Sequence, residues 1–113
     1  MTKLPGNKSR GSSSGRPIMV LLDVLGQKWT LRILWELYQT GEPLTFRRLQ
    51  GACDAVSPTS LNSRLKNLRE LRLVELGANG YLVTQKGKEL TQTFVELDCW
   101  AEEWASSLNK DGT

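Results

Sequence analysis

The chain has no histidine and only two cysteines, Cys53 and Cys99. Without histidine, the commonest general base and most nucleophile–base pairs are missing. Two thiols so far apart in sequence form neither a disulfide framework nor a zinc site. Each lies among apolar neighbours in a helical pattern, the setting of a buried, inert thiol. No stretch of about 18 apolar residues is present, so no membrane span is expected. The N-terminus lacks the apolar segment and small-residue cleavage site of a secretory signal, so a cytoplasmic protein is expected. Clustered carboxylates, a glycine-rich phosphate loop and metal-ligand spacings are also missing. Together these absences speak against an enzyme and against a metal or cofactor.

What is present is an uneven distribution of charge. The net charge over 113 residues is only +3. Residues 1–16 carry Lys3, Lys8, Arg10 and Arg16 and no acid. Residues 28–72 hold eight basic and four acidic groups, and residues 73–113 hold three basic and seven acidic groups. A basic arm and middle with an acidic C-terminal end suit a polyanion approached from one side. Solubilising scatter would give a similar total, so charge alone does not decide. A length of 113 residues favours a single domain with a modest core, which a partner subunit would enlarge.

Residues 1–16 are rich in Gly, Ser and basic residues and read as a flexible arm unable to bury apolar surface. From Pro17 the texture changes. Ile18, Leu21, Leu22 and Leu25 follow a helical repeat opened by proline and closed by Gly26. Trp29, Ile33, Leu34 and Leu37 continue the period in a second helix that stops at Thr40-Gly41. Leu31, Trp35 and Tyr38 give it apolar surface elsewhere, so it is expected to be buried on most sides. Thr45 is the expected cap of a third helix with Phe46, Leu49 and Cys53 inward. Ser57 with Pro58 opens a fourth, whose buried stripe is Leu61, Leu65 and Leu68, with Leu71 as a further candidate. Asn79-Gly80 between apolar runs predicts a two-residue hairpin turn. That register sets Ala78 opposite Tyr81 and Leu76 opposite Val83. Thr84 caps a last helix, along which Leu90, Phe94, Leu97, Ala101, Trp104 and Leu108 alternate spacings of four and three. The segment 109–113 reads as a flexible tail.

The fold class is therefore mainly α with a small β-hairpin: a winged helix-turn-helix over 17–108, with N- and C-terminal dimerisation helices. The fourth helix carries the functional signal. Off its leucine stripe, Thr59, Asn62, Ser63 and Lys66 cluster on one face. Short hydroxyl and amide side chains let a helix backbone approach base edges and phosphates in the major groove, where Glu would be repelled. Free N–H groups at the helix start, near Ser57 to Ser60 and beside Pro58, suit a phosphate. Asn62 is the candidate adenine reader and Lys66 a phosphate contact. Arg47 and Arg48 open the third helix, which crosses the DNA backbone in this motif. A solvated face would also carry Ser, Thr and Asn. The preceding helix, short turn and hairpin weigh toward the groove.

Several segments resemble the HxlR family of prokaryotic winged helix-turn-helix transcriptional regulators, relatives of the MarR group. LLDVLGQKWTLRILWEL at 21–37 is similar to the family signature. Tyr81-Leu82-Val83-Thr84-Gln85-Lys86-Gly87 is similar to its Tyr-x-Leu-Thr-x-x-Gly, and Leu97 to Trp104 to its Leu-x-x-Trp-x-x-x-Trp. The resemblance implies a homodimeric transcription factor joined through its first and last helices. Three departures stand out. Arg16 occupies the place of the family's sensing cysteine, which rules out thiol sensing there. Gln27 replaces the second glycine of Gly-Gly-Lys-Trp. The wing is short and its tip, with Asn79, carries no basic residue, so the basic arm is an alternative source of minor-groove contact.

The last helix supports a dimer independently, because a four-three alternation is a coiled-coil seam. The residues expected at that interface are Ile18, Leu21, Leu22, Phe94, Leu97, Trp100, Ala101 and Trp104. The expected partners are double-stranded DNA and a second copy of the chain, with an inverted-repeat site. A small-molecule effector would find its space among Trp29, Trp35, Phe94 and Trp100, although core packing also accounts for those aromatics. The rival function is a winged-helix protein-interaction module that uses the same fold without groove contact.

Overall fold

The computed structural model describes residues 16–54 and 56–111. The element order is α1 (Pro17–Leu25), α2 (Thr30–Thr40), α3 (Phe46–Ala52), α4 (Pro58–Glu70), β1 (Val74–Gly77), β2 (Gly80–Val83) and α5 (Gln85–Asp111). Local chemistry explains most boundaries. Pro17 and Pro58 sit in first turns, where their missing N–H groups cost nothing. The hydroxyl of Thr45 accepts from the Arg48 amide at 3.2 Å, and that of Ser57 from the Ser60 amide at 3.1 Å. The hydroxyl of Thr84 accepts from the Gly87 amide at 3.1 Å and donates to the Arg72 carbonyl at 2.7 Å, joining the α5 cap to the start of the hairpin. Gly41 ends α2 with a left-handed φ of 67°.

Ile33, Leu34 and Leu37 of α2, Leu49 of α3 and Leu61, Leu65 and Leu68 of α4 are all essentially inaccessible and form the centre of the core. Val74 and Val83 close it from the hairpin. The three α4 leucines therefore fix that helix's rotation, which turns residues 59, 62, 63 and 66 outward.

Four expectations need correction. The hairpin register is Val74↔Val83, Glu75↔Leu82, Leu76↔Tyr81 and Gly77↔Gly80, so Ala78-Asn79 forms the turn. The shift of two keeps the same residues on each face. Its cause is tertiary. Leu44 bridges to Tyr81 through paired backbone bonds of 2.9 and 2.8 Å, and Gly80 lies in the strand hard against the Leu44 carbonyl. A second correction is that α2 begins at Thr30, because Trp29 takes a left-handed φ of 77° as its N-cap. Third, α2 is not buried on most sides: Leu31 and Trp35 are exposed. Fourth, Cys53 is buried but Cys99 is exposed, on a stretch of α5 where residues 95–100 all face solvent.

Helix α1 has two apolar faces. Val20, Val24 and Leu25 point inward, while Ile18 and Leu22 are more than half exposed. Helix α5, about 40 Å long at 1.5 Å per residue, docks only by its first half. There Thr91 is buried and its hydroxyl donates to the Gly87 carbonyl at 2.8 Å. No helix among the described residues is long and apolar enough to cross a membrane. Of the basic arm, residues 1–16, all but Arg16 lie outside the described residues.

Candidate nucleic-acid interface

The turn between α3 and α4 sets the angle at which α4 is presented, and two side chains pin it. Arg32 of α2 donates through Nη2 to the Ala52 carbonyl at 2.8 Å and to Asp54 Oδ2 at 3.0 Å. Its Nε donates to Glu36 Oε2 at 2.8 Å, one turn along the same helix. From α3, Gln50 Nε2 donates to the Val56 carbonyl at 3.0 Å. Val56 itself is buried. These bonds satisfy the carbonyl of the last α3 residue, which has no partner within its own helix, and a carbonyl in the turn.

On α4, Ser57, Pro58, Thr59, Asn62, Ser63 and Lys66 are all exposed. With about 100° per residue, Thr59, Ser63 and Lys66 lie close to the direction opposite the leucine stripe, and Asn62 lies beside them. Nothing else in the described chain covers this face. Arg47 and Arg48 are exposed in the first turn of α3. Asn79 is exposed in the hairpin turn. The sequence-predicted reading residues thus share one uncovered helix face.

One flank of α4 is closed by contacts that sequence reasoning missed. Arg64 Nη1 donates to Gln27 Oε1 at 3.0 Å, and its Nε donates to the Lys28 carbonyl at 3.0 Å. Asn67 Nδ2 donates to the same Gln27 oxygen at 3.3 Å. Gln27 therefore ties the α1–α2 junction to α4, which gives its departure from glycine a structural role. The departure itself was the only signal in the sequence. The opposite flank is open. A cleft of about 900 Å³ runs between α4, the hairpin and the start of α5, and its lining includes Lys66, Arg69, Arg72 and Lys86.

The expected interface residues divide by exposure. Ile18, Leu22, Leu97, Trp100 and Trp104 are exposed, whereas Leu21, Phe94 and Ala101 are half-buried. Trp100 stacks on Trp104 with ring centroids 6.0 Å apart. Between α2 and α5 lies a second cavity of about 590 Å³, lined by Leu31, Trp35, Phe94 and Leu97 among others. Trp29 and Trp100 do not line it. Burial pushes the Cys53 thiol up to about 11, with Glu36 adding to the rise. Among the described residues no group of His, Cys, Asp and Glu could hold a metal ion.

Known proteins share this arrangement. An uncharacterised HTH-type transcriptional regulator of Methanocaldococcus jannaschii is 28% identical over 90 residues, which span 76% of this chain and 83% of the relative. The quinone-bound crystal structure of YodB from B. subtilis superposes with a TM-score of 0.71 at 28% identity, covering 76% of this chain and 96% of that one. A possible HxlR family transcriptional factor from Thermoplasma volcanium gives a TM-score of 0.65 at 26% identity, over 80% of this chain and 82% of that one. The two solved structures superpose on the mainly helical fold with its hairpin. The HxlR-like helix-turn-helix family model matches residues 24–109, and the chain is a member of that family of transcriptional regulators.

Proposed function

We propose that the protein is a homodimeric, sequence-specific regulator that reads an inverted-repeat DNA site with α4, in the cytoplasm of a prokaryotic cell. The observation that carries this reading is the uncovered face of α4. A helix anchored by three fully buried leucines presents Thr59, Asn62, Ser63 and Lys66 to solvent with no acidic residue among them. In this reading Asn62 pairs with an adenine edge. Lys66, Arg47 and Arg48 contact phosphates, and Ser57, Pro58 and Asn79 border the duplex.

The dimer is supported by the apolar surface a single chain leaves open. Ile18, Leu22, Leu97, Trp100, Trp104 and Leu108 are each 51–60% exposed. A seam of that size on a lone subunit is a liability in water. Pairing α1 and α5 with a second copy covers it and sets two α4 helices about 34 Å apart, one turn of DNA. The cavity beside Trp35 and Phe94 is a site for a small apolar effector. YodB, of which a quinone-bound structure is known, lends that idea weight. Arg16 stands where a sensing cysteine would be needed, so an effector here binds without a thiol at that position.

Titration of duplexes tests the reading. Asn62→Ala should cost about 1–3 kcal/mol and relax preference at one base pair per half-site. Lys66→Ala should weaken all sequences alike. Saturable specific binding supports the regulator. A folded protein that binds no duplex at low salt would instead be a protein-interaction module.

A further inference from the structure

The two flanks of α4 differ in what they offer a DNA backbone. On the α1–α2 side the cation is already engaged, since both donor nitrogens named for Arg64 are held by Gln27 and the Lys28 carbonyl. On the hairpin side, Lys66, Arg69 and Arg72 form no ion pair among the described residues. Lys86 meets Glu89 only through an exposed contact of 3.3 Å, too solvated to neutralise it. These four cations line one cleft of about 900 Å³, with Glu70 and Glu75 as its acids and an apolar wall from Val74 and Leu76. The hairpin tip, Ala78-Asn79, carries no charge.

We infer that this cleft is a phosphate-binding site for the DNA backbone, with Lys66, Arg69, Arg72 and Lys86 as its donors, so that the base of the hairpin does what an uncharged tip does not. The inference rests on the reading of α4 as the groove helix. Lys66 belongs both to the reading face and to the cleft, and Arg69 follows it by one turn. A helix seated in the major groove has a phosphodiester strand beside each flank. The strand on the hairpin side would run from Lys66 into the cleft. Arg72 is held there by its backbone: its φ is 60°, and its carbonyl accepts from Thr84 Oγ1 at 2.7 Å. The two glutamates lower the attraction without cancelling it.

The test measures the affinity of the full chain for a selected duplex and for a scrambled duplex across a salt series. Arg69→Gln, Arg72→Gln and Lys86→Gln are compared with Lys88→Gln, which removes an equal charge from the same helix as Lys86 but outside the cleft. Each cleft variant should weaken both duplexes alike and lower the salt slope by about 0.9 per protomer. Lys88→Gln should leave the slope near that of wild type. Arg72→Lys should restore it, and Glu70→Gln should tighten both duplexes. Arg69 and Lys86 are exposed, so their variants answer the question even if Arg72→Gln fails to fold. Cleft slopes that match wild type, while Asn62→Ala still alters preference, would overturn the phosphate site and leave α4 as the reader. Failure of the wild type to bind either duplex would overturn both.

Discussion

Replacing Gly80 with alanine should unfold the hairpin from the domain. An ideal Cβ at this position lies 2.5 Å from the Leu44 carbonyl oxygen, 2.6 Å from its carbon and 2.9 Å from the Thr45 nitrogen. All three are backbone atoms, so no rotamer change relieves the clash. Gly80 also has a φ of +133°, which costs a residue with a Cβ about 1–3 kcal/mol. Moving the strand away breaks the reciprocal Leu44–Tyr81 bonds of 2.9 and 2.8 Å, each worth about 1 kcal/mol net. The expected loss is therefore about 3–5 kcal/mol, a large share of the ~5–15 kcal/mol that holds a small domain together. Urea denaturation followed by circular dichroism reads this as a fall in midpoint of roughly 2 M, taking a slope of about 2 kcal/mol/M. Two glycines calibrate the result. Gly41, at φ +67° with nothing within 4 Å of its Cβ, should lose only about 1 kcal/mol as alanine. Gly51, helical and equally open, should gain about 0.5–1 kcal/mol. A Gly80→Ala protein within 1 kcal/mol of wild type, or no worse than Gly41→Ala, would refute the close approach and with it the account of the register.

Thr30→Val should stabilise the fold by about 1 kcal/mol, because the buried Thr30 hydroxyl has no partner among the described residues and such a group carries a desolvation cost; thermal unfolding checks this. A thiol reagent at pH 8 should modify Cys99 quickly and Cys53 only as fast as the chain unfolds, because Cys99 is exposed and Cys53 is buried. Rapid modification of two equivalents in the folded protein would contradict that. The same burial predicts a pH effect. Between the ordinary thiol range and about 11, the unfolded chain gives up a proton that folded Cys53 keeps, so stability falls as pH rises through that window. Cys53→Ala should remove that part of the decline, read by denaturant titrations at successive pH values.

The features legible in the sequence were those set by near neighbours. Caps at Thr45, Ser57 and Thr84, prolines in first turns and the α4 leucine stripe are local, and the structure forms each as expected. The candidate reading face follows directly, since three inward leucines dictate what points out. Longer-range features were hidden. The Asn79-Gly80 pair carries the usual turn signal, yet Leu44, far earlier in the chain, claims Gly80 for the strand. The Gln27 contacts join residues 37 and 40 positions apart, beyond any periodicity. Leu31 and Trp35 have core-like composition, but whether they are covered depends on where α5 crosses α2. The α4–hairpin cleft likewise exists only once the helix, the hairpin and α5 are assembled.

The central claim is that the open face of residues 58–67 reads the major groove twice, once from each member of a symmetric pair. Selection of bound duplexes from a random-sequence pool by the 113-residue chain tests it most directly. Enrichment of an inverted repeat, with half-site centres about 10 base pairs apart and one position lost when Asn62 is replaced by alanine, is the predicted result. A pool that stays random, or one that yields a single unrepeated motif indifferent to Asn62, would contradict it.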